Sequence, residues 1–220
     1  DPAAIASGPT IPASFEPEAA LAILNRTGWP VDPRLESLIR SGACGPVPIH
    51  PVHLVANGRT ALDAVTAAAT KAGWNVVMVN PELDGDAAET GRAHAGLALD
   101  YAVRPGRHLL LSGGELTVRV RAEGGAGGPN LEYLAGLMAA LPPEASVAAL
   151  AGDSDGIDGS ADNAGGYFDA ATRAASGQCE AALAENSTYA LFRQTGGLIF
   201  TGPTRTNVND FRMIAVGELP

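Results

Sequence analysis

VAALAGDSDGIDGSADNAGG (147–166) is an apolar run of strand length that breaks directly into four aspartates and five glycines. An uncharged run of this kind, bounded by turn residues, fits a strand buried in an α/β sheet. A polar turn at its carboxyl end sits where open α/β sheets place their ligand crevices. Asp153, Asp155, Asp158 and Asp162 repel one another. The turn therefore calls for a hard cation, or for a loop that spends its carboxylates on capping turns and a helix start. An EF-hand is excluded: counted from Asp153, Asp158 stands where glycine is needed and Ala164 where glutamate is needed.

Outward from this stretch the chain keeps alternating. PEAALAILNRTG (17–28) reads as a short helix stopped by Gly28, and a proline- and glycine-rich loop occupies 41–51. VHLVAN (52–57) and NVVMVN (75–80) read as strands. ALDAVTAAATKAG (61–73) and GDAAETGRAHAGLAL (85–99) read as helices, giving βαβ units and a parallel sheet. Beyond residue 105 the texture changes. HLLLSGGE (108–115) leads into LTVRVR (116–121), whose alternation predicts a strand with one solvated face. A helix over 131–141 follows, with Leu131, Leu134, Met138 and Leu141 on one side. Further helices are predicted from Asn163 to Ala175 and over 181–196, with strands near 198–204 and 211–217. The expected fold is α/β: a parallel-sheet part over 1–105, then a mixed-sheet domain over 106–220.

Composition narrows the function. The chain is 46% hydrophobic and 17% charged, as a folded globular protein is, and its net charge of −10 disfavours nucleic acid and anionic membrane surfaces. Cys44 and Cys179 are too few for a disulfide framework or a four-cysteine zinc site, and read as buried thiols. His50, His53, His94 and His108 lack metal-ligand spacing. No apolar run reaches membrane-spanning length, and no signal peptide opens the chain. The start at DPAAIASGPT, without an initiator methionine, reads like a segment cut from something longer.

Three further stretches carry candidate chemistry. SGGE (112–115) places Ser112, Gly113, Gly114 and Glu115 at a strand end, where glycine permits a ligand-facing turn. GGAGGPNLEYL (124–134) joins a glycine-rich turn to a helix whose free amides could cradle an anion, with Asn130 and Glu132 in its first turn. It is neither a Walker A sequence nor GxGxxG. TGPTRTNVND (201–210) gathers Thr204, Thr206, Asn207 and Asp210 into a row able to hold a polyol or phosphate, or to satisfy its own turns. ASGPT (6–10) echoes it faintly. Polar glycine loops that each follow an apolar strand imply one shared crevice.

In order, SGGELTV (112–118), GGPNLE (127–132), DSDGIDGSADNAG (153–165), NSTY (186–189) and TGPTRTNVND (201–210) resemble the MOFRL domain of class II glycerate kinases. IASGPT (5–10) and VANGRTAL (55–62) resemble the end of that family's larger N-terminal domain. The resemblance implies ATP-dependent phosphorylation of D-glycerate to 2-phosphoglycerate in the cytoplasm, with Mg²⁺. Asp155 and Asp158 would hold the metal and orient the nucleophilic hydroxyl. Ser112, Gly113, Gly114, Glu115, Asn130, Glu132, Thr204, Thr206, Asn207 and Asp210 would line the substrate and nucleotide cleft. Ala126 and Pro129 stand where the family carries arginines, and Leu131 where it carries glutamine, which moves a phosphoryl clamp to Arg205 or another arginine. The family's N-terminal segment, with its catalytic lysine, would be the partner that completes the cleft, so the chain alone is expected to be inactive; a homodimer stays open. Two alternatives remain: an NAD(P)H-dependent hydroxypyruvate reductase, and a non-catalytic domain that binds a sugar acid or nucleotide.

Overall fold

The computed structural model describes residues 11, 16–42 and 51–218. The ASGPT echo at 6–10, Cys44, His50 and most of the loop at 41–51 lie outside the described residues. The chain divides into two compact units at Val55/Ala56.

In the first unit, α1 (Pro17–Arg26) and α2 (Pro33–Ser41) each begin with proline at the first turn, where its missing N–H costs nothing. The Asp32 carboxylate accepts the Arg34 amide at 2.7 Å, and Gly42 closes α2 in the left-handed region at φ 57°. Arg40 pairs with Glu18 of α1 and, at 2.8 Å, with Glu36. The sequence reading lacks α2 altogether.

The second unit is a three-layer α/β sandwich. In chain order it contains α3 (Gly58–Lys71), β1 (Asn75–Leu83), α4 (Ala87–Ala102), β2 (Arg107–Gly114), α5 (Pro129–Ala140) and β3 (Val147–Asp153). β4 (Gly165–Phe168), α6 (Ser176–Ala184), α7 (Thr188–Thr195), β5 (Leu198–Ile199) and β6 (Asp210–Gly217) follow. The six strands form one mixed sheet ordered β1-β2-β6-β3-β4-β5. Only β1 and β2 run parallel, and every other pairing is antiparallel. Because β1 is bonded along β2, the sheet runs unbroken across residue 105, and the division at Val55/Ala56 lies well upstream of the predicted change in texture.

One face carries the main core, where α4, α5 and α6 pack Leu131, Leu134, Met138, Cys179 and Leu183 against Leu110, Ala149, Ile214 and Val216. On the other face α3 contributes Leu62 against Leu109 and Leu111. α5 is buried over Asn130–Met138, not along one stripe, because it lies between the sheet and three other helices, α4, α6 and α7. At its crossing with α4 the backbones nearly touch: a Cβ on Gly136 would lie 2.2 Å from the Ala88 carbonyl oxygen, and one on Gly91 2.1 Å from that of Tyr133.

Four expected elements differ. Residues 52–57 form no strand; Val52, Leu54 and Val55 are exposed, and nothing described pairs with them. Residues 116–121 run as an unpaired strap, since β1 and β6 already occupy both edges of β2; only Thr117 bridges, to Asp86. The helix predicted from Asn163 is instead β4, which GGYF enters with Gly165 at φ 150°. The helix predicted over 181–196 is two helices, α6 and α7, broken where Asn186 turns left-handed at φ 50°. No helix among the described residues is long and apolar enough to cross a membrane.

Candidate functional site

Leu83, Gly114, Asp210 and Asp153 lie side by side across β1, β2, β6 and β3 at one end of the sheet. The loops at 84–86, 115–128, 154–164 and 200–209 therefore leave or enter from the same edge. They are also fastened to one another. Thr204 donates its amide to the Asp155 carbonyl (2.9 Å) and its hydroxyl to the Ser154 carbonyl (2.5 Å), while Ser154 Oγ accepts the Val208 amide (2.8 Å). Gly156 passes so close to the second loop that a Cβ there would sit 2.1 Å from the Gly202 oxygen.

Asp158 is fully buried and caps α5 from outside that helix. Its Oδ1 accepts from the Asn130 amide (3.0 Å) and from Asn130 Nδ2 (3.2 Å), and its Oδ2 accepts from the Leu131 amide (3.1 Å). Burial raises its pKa, and those same donors and Arg212 oppose the rise. The consequence is that α5 does not offer a phosphate its first amides; Asp158 already holds two of them. Gly128 is glycine because Asp158 packs on it, where a Cβ would lie 2.3 Å from Cγ. Gly125 and Gly127 are pressed against Asn186 and Thr188 in the same way. In SGGE, Gly114 (φ 95°) meets the Leu83 backbone, and Gly113 meets Pro81 and Leu62. These glycines serve close packing of backbone.

Beneath the α5 start lies a second polar group. Asp210 is buried and bonded to fully buried Arg212 at 2.7 Å, and Arg212 also reaches the Gly114 carbonyl at 3.3 Å. Burial pushes the Asp210 carboxyl up to about 7 against the pull of Arg212, and the charges of Asp153 and Glu115 add to the rise. Asp153 is pushed up to about 6 by burial, with further repulsion from Asp155 and Glu115. Asp153 and Asp155 each accept an amide two residues on, from Asp155 and Ile157, both at 2.8 Å. Ser112 is buried in β2 opposite Arg212, and Glu115 is exposed at the strand end. Thr206 and Asn207 stand exposed on the loop, Asn207 accepting the Asn209 amide at 3.0 Å. Among the described residues no group of three or more His, Cys, Asp or Glu side chains is arranged to hold a metal ion.

Glu132 does not face an opening. It is buried, Asn186 Nδ2 donates to it at 2.7 Å, and burial raises its pKa. Asn186 also accepts the Arg121 and Ala122 amides (2.6 and 3.1 Å) and donates to the Arg119 carbonyl (3.0 Å), which ties down the strap. The strap's alternation thus sorts its residues. Arg119 and Arg121 turn to Asp86, and Arg121 also to Glu132. Leu116, Val118 and Val120 line a cavity of about 500 Å³ with Gly127, Gly128 and Asn186.

Residues 108–210 match the MOFRL family. The chain is 37% identical over 99% of its length to a protein of Agrobacterium vitis provisionally named hydroxypyruvate reductase, covering 52% of that protein. It is 34% identical over 94% of its length to glycerate 2-kinase of Pyrococcus horikoshii, covering 51% of it. It also superposes on the crystal structure of glycerate kinase from Thermotoga maritima with a TM-score of 0.83 and 31% identity, over 98% of this chain and 54% of that one. The chain spans about half the length of these relatives.

Within the second unit the structure adds residues that sequence reading passed over. Arg212 could have been noticed as the one charge at an inward position of an otherwise apolar strand, FRMIAVG. Asn186 had only the NSTY motif to mark it. Asp162, grouped with the other aspartates by sequence, instead accepts the Tyr189 hydroxyl at 2.8 Å.

Proposed function

We propose that this chain is part of an ATP-dependent glycerate 2-kinase, in which a hydroxyl of D-glycerate attacks the γ-phosphorus of ATP. A new P–O bond forms, the bond from the γ-phosphorus to the β–γ bridging oxygen breaks, ADP leaves with that oxygen's charge, and the hydroxyl proton is released to solvent. The observation that carries the reading is the convergence of the polar loops on the sheet end where Gly114, Asp210 and Asp153 sit in register. The names of the relatives supply the substrate class. Phosphoryl transfer needs little beyond positioning and neutralised charge, so a rigid polar rim is the appropriate equipment.

Mg²⁺ usually enters such sites on one or two carboxylates, with phosphate oxygens and water filling the remaining positions. The donor set is compatible with that mode. Asp155 is part-exposed at the rim, and Asp153 beside it is held above its ordinary pKa by burial and neighbouring negative charge, which a cation would relieve. Asp155 would hold the ion and orient the hydroxyl. Asp158 would join it only by giving up an amide of α5, and otherwise fixes Asn130 in place. Ser112, Glu115, Thr206 and Asn207 would complete the substrate side, in the cytoplasm, where nucleotide is supplied.

The Agrobacterium relative's name keeps hydroxypyruvate reduction as a second reading. The turn after β1 counts against it. Asp86 caps α4 there, accepting the Glu89 amide at 3.0 Å, so a carboxylate stands where a dinucleotide's pyrophosphate would need bare amides. Assaying the complete gene product separates the two. Glycerate-dependent ADP release supports the kinase; NADH oxidation by hydroxypyruvate without ADP release would replace it with the reductase.

A further inference from the structure

The loop end of the sheet is rich in acid. Glu115, Asp153, Asp155 and Asp210 gather there, yet both substrates of the proposed reaction are anions. An anion entering this rim needs a cation, and the arginines of this end can be taken one by one. Arg212 is fully buried and committed to Asp210 and the Gly114 carbonyl. Arg119 and Arg121 are drawn to Asp86 and Glu132, where they hold the strap. Arg205 remains. It is exposed and, among the described residues, has no carboxylate within 4.0 Å.

Its backbone is unusual. Arg205 sits in the left-handed region at φ 63°, a conformation that costs a side-chain-bearing residue energy and that glycine adopts freely. The loop does not relax out of it, because Thr204 is fastened to Ser154 and Asp155 on one side and Val208 to Ser154 on the other. A rigid turn therefore carries an unpaired guanidinium one residue from the amide bonded to the Asp155 carbonyl.

Resting on the kinase reading, we propose that Arg205 is the rim cation that receives the substrate's oxyanion, the glycerate carboxylate or the transferring phosphoryl group, and so sets specificity for acidic substrates. Guanidinium matches either group with two parallel charge-assisted bonds, which a lysine cannot reproduce.

The test compares the complete gene product with its R205G, R205K and R205Q variants by calorimetric titration of D-glycerate, inorganic phosphate and Mg·ADP, with thermal midpoints measured alongside. R205G is expected to bind the oxyanion about tenfold or more weakly while melting no lower than wild type, because glycine suits φ 63°. R205K should fall between wild type and R205Q. A loss confined to glycerate identifies the carboxylate as the partner; a loss shared with phosphate identifies the phosphoryl group. Wild-type affinity in R205G for all three probes overturns the role of Arg205 and leaves the kinase reading standing. Failure of wild type to bind any of them overturns both. A lower melting point in R205G with unchanged binding would make the residue a structural one and also end the proposal.

Discussion

Replacing Asp158 distinguishes a carboxylate kept for capping from one kept for a cation. In D158A the Asn130 and Leu131 amides lose their acceptor inside a fully buried site, and Asn130 Nδ2 loses a partner. An orphaned buried donor costs about 1–3 kcal/mol, and part of the sum returns because a charge is no longer buried, for a net loss of about 3 kcal/mol. D158N keeps one acceptor oxygen and turns an amide group towards the second donor, so about half that loss is expected. Urea unfolding followed by far-UV circular dichroism gives the energy. Hydrogen exchange at the Asn130 and Leu131 amides shows whether the loss begins at the start of α5. A carboxylate held only for a metal would behave oppositely: in metal-free protein its removal relieves repulsion and stabilises. D158A within about 0.5 kcal/mol of wild type, or unchanged exchange at Leu131, would refute the capping argument.

G136A should cost about 2–4 kcal/mol, because its methyl meets the Ala88 backbone at 2.2 Å, whereas G177A, with nothing within 4 Å, should be neutral or slightly stabilising; paired denaturation curves check both. N186A should speed hydrogen exchange at Arg121 and Ala122 by about tenfold or more while the α4 amides stay protected, since Asn186 alone accepts those two strap amides among the described residues. Asp210 titrates near its ordinary 3.8 in the unfolded chain and about 7 in the folded one, so the native state holds the extra proton between those values. Its contribution therefore makes stability fall as pH rises from about 4 to about 7, and D210N should flatten the slope of unfolding energy across that window.

Four strands were legible because each is a local property: NVVMVN, HLLLSGG, VAALAG and FRMIAVG are apolar enough to be read alone. LTVRVR has equally good alternation and is no strand, since pairing depends on a free neighbour and β2 has none left. The glycine loops misled for a related reason. A missing Cβ serves a ligand and an adjacent backbone equally, and sequence does not say which; here Gly125, Gly127 and Gly128 meet Asn186, Thr188 and Asp158. The break at Asn186 was illegible because its left-handed turn is stabilised by the strap and by Glu132, both distant in sequence.

The aspartates divide along the same line. Asp158 caps α5, Asp162 accepts from Tyr189, Asp86 caps α4 and Glu132 anchors Asn186 through one oxygen, so these carboxylates are already engaged by donors of the fold. Asp153, Asp155 and Asp210 also accept donors of the fold, but with Glu115 they differ in place. They share one end of the sheet, and repulsion and burial hold Asp153 and Asp210 well above ordinary carboxylate pKa values even with Arg212 among them. Negative charge crowded at one end of the sheet, beyond what Arg212 offsets, is what a site for a magnesium-bound phosphate requires.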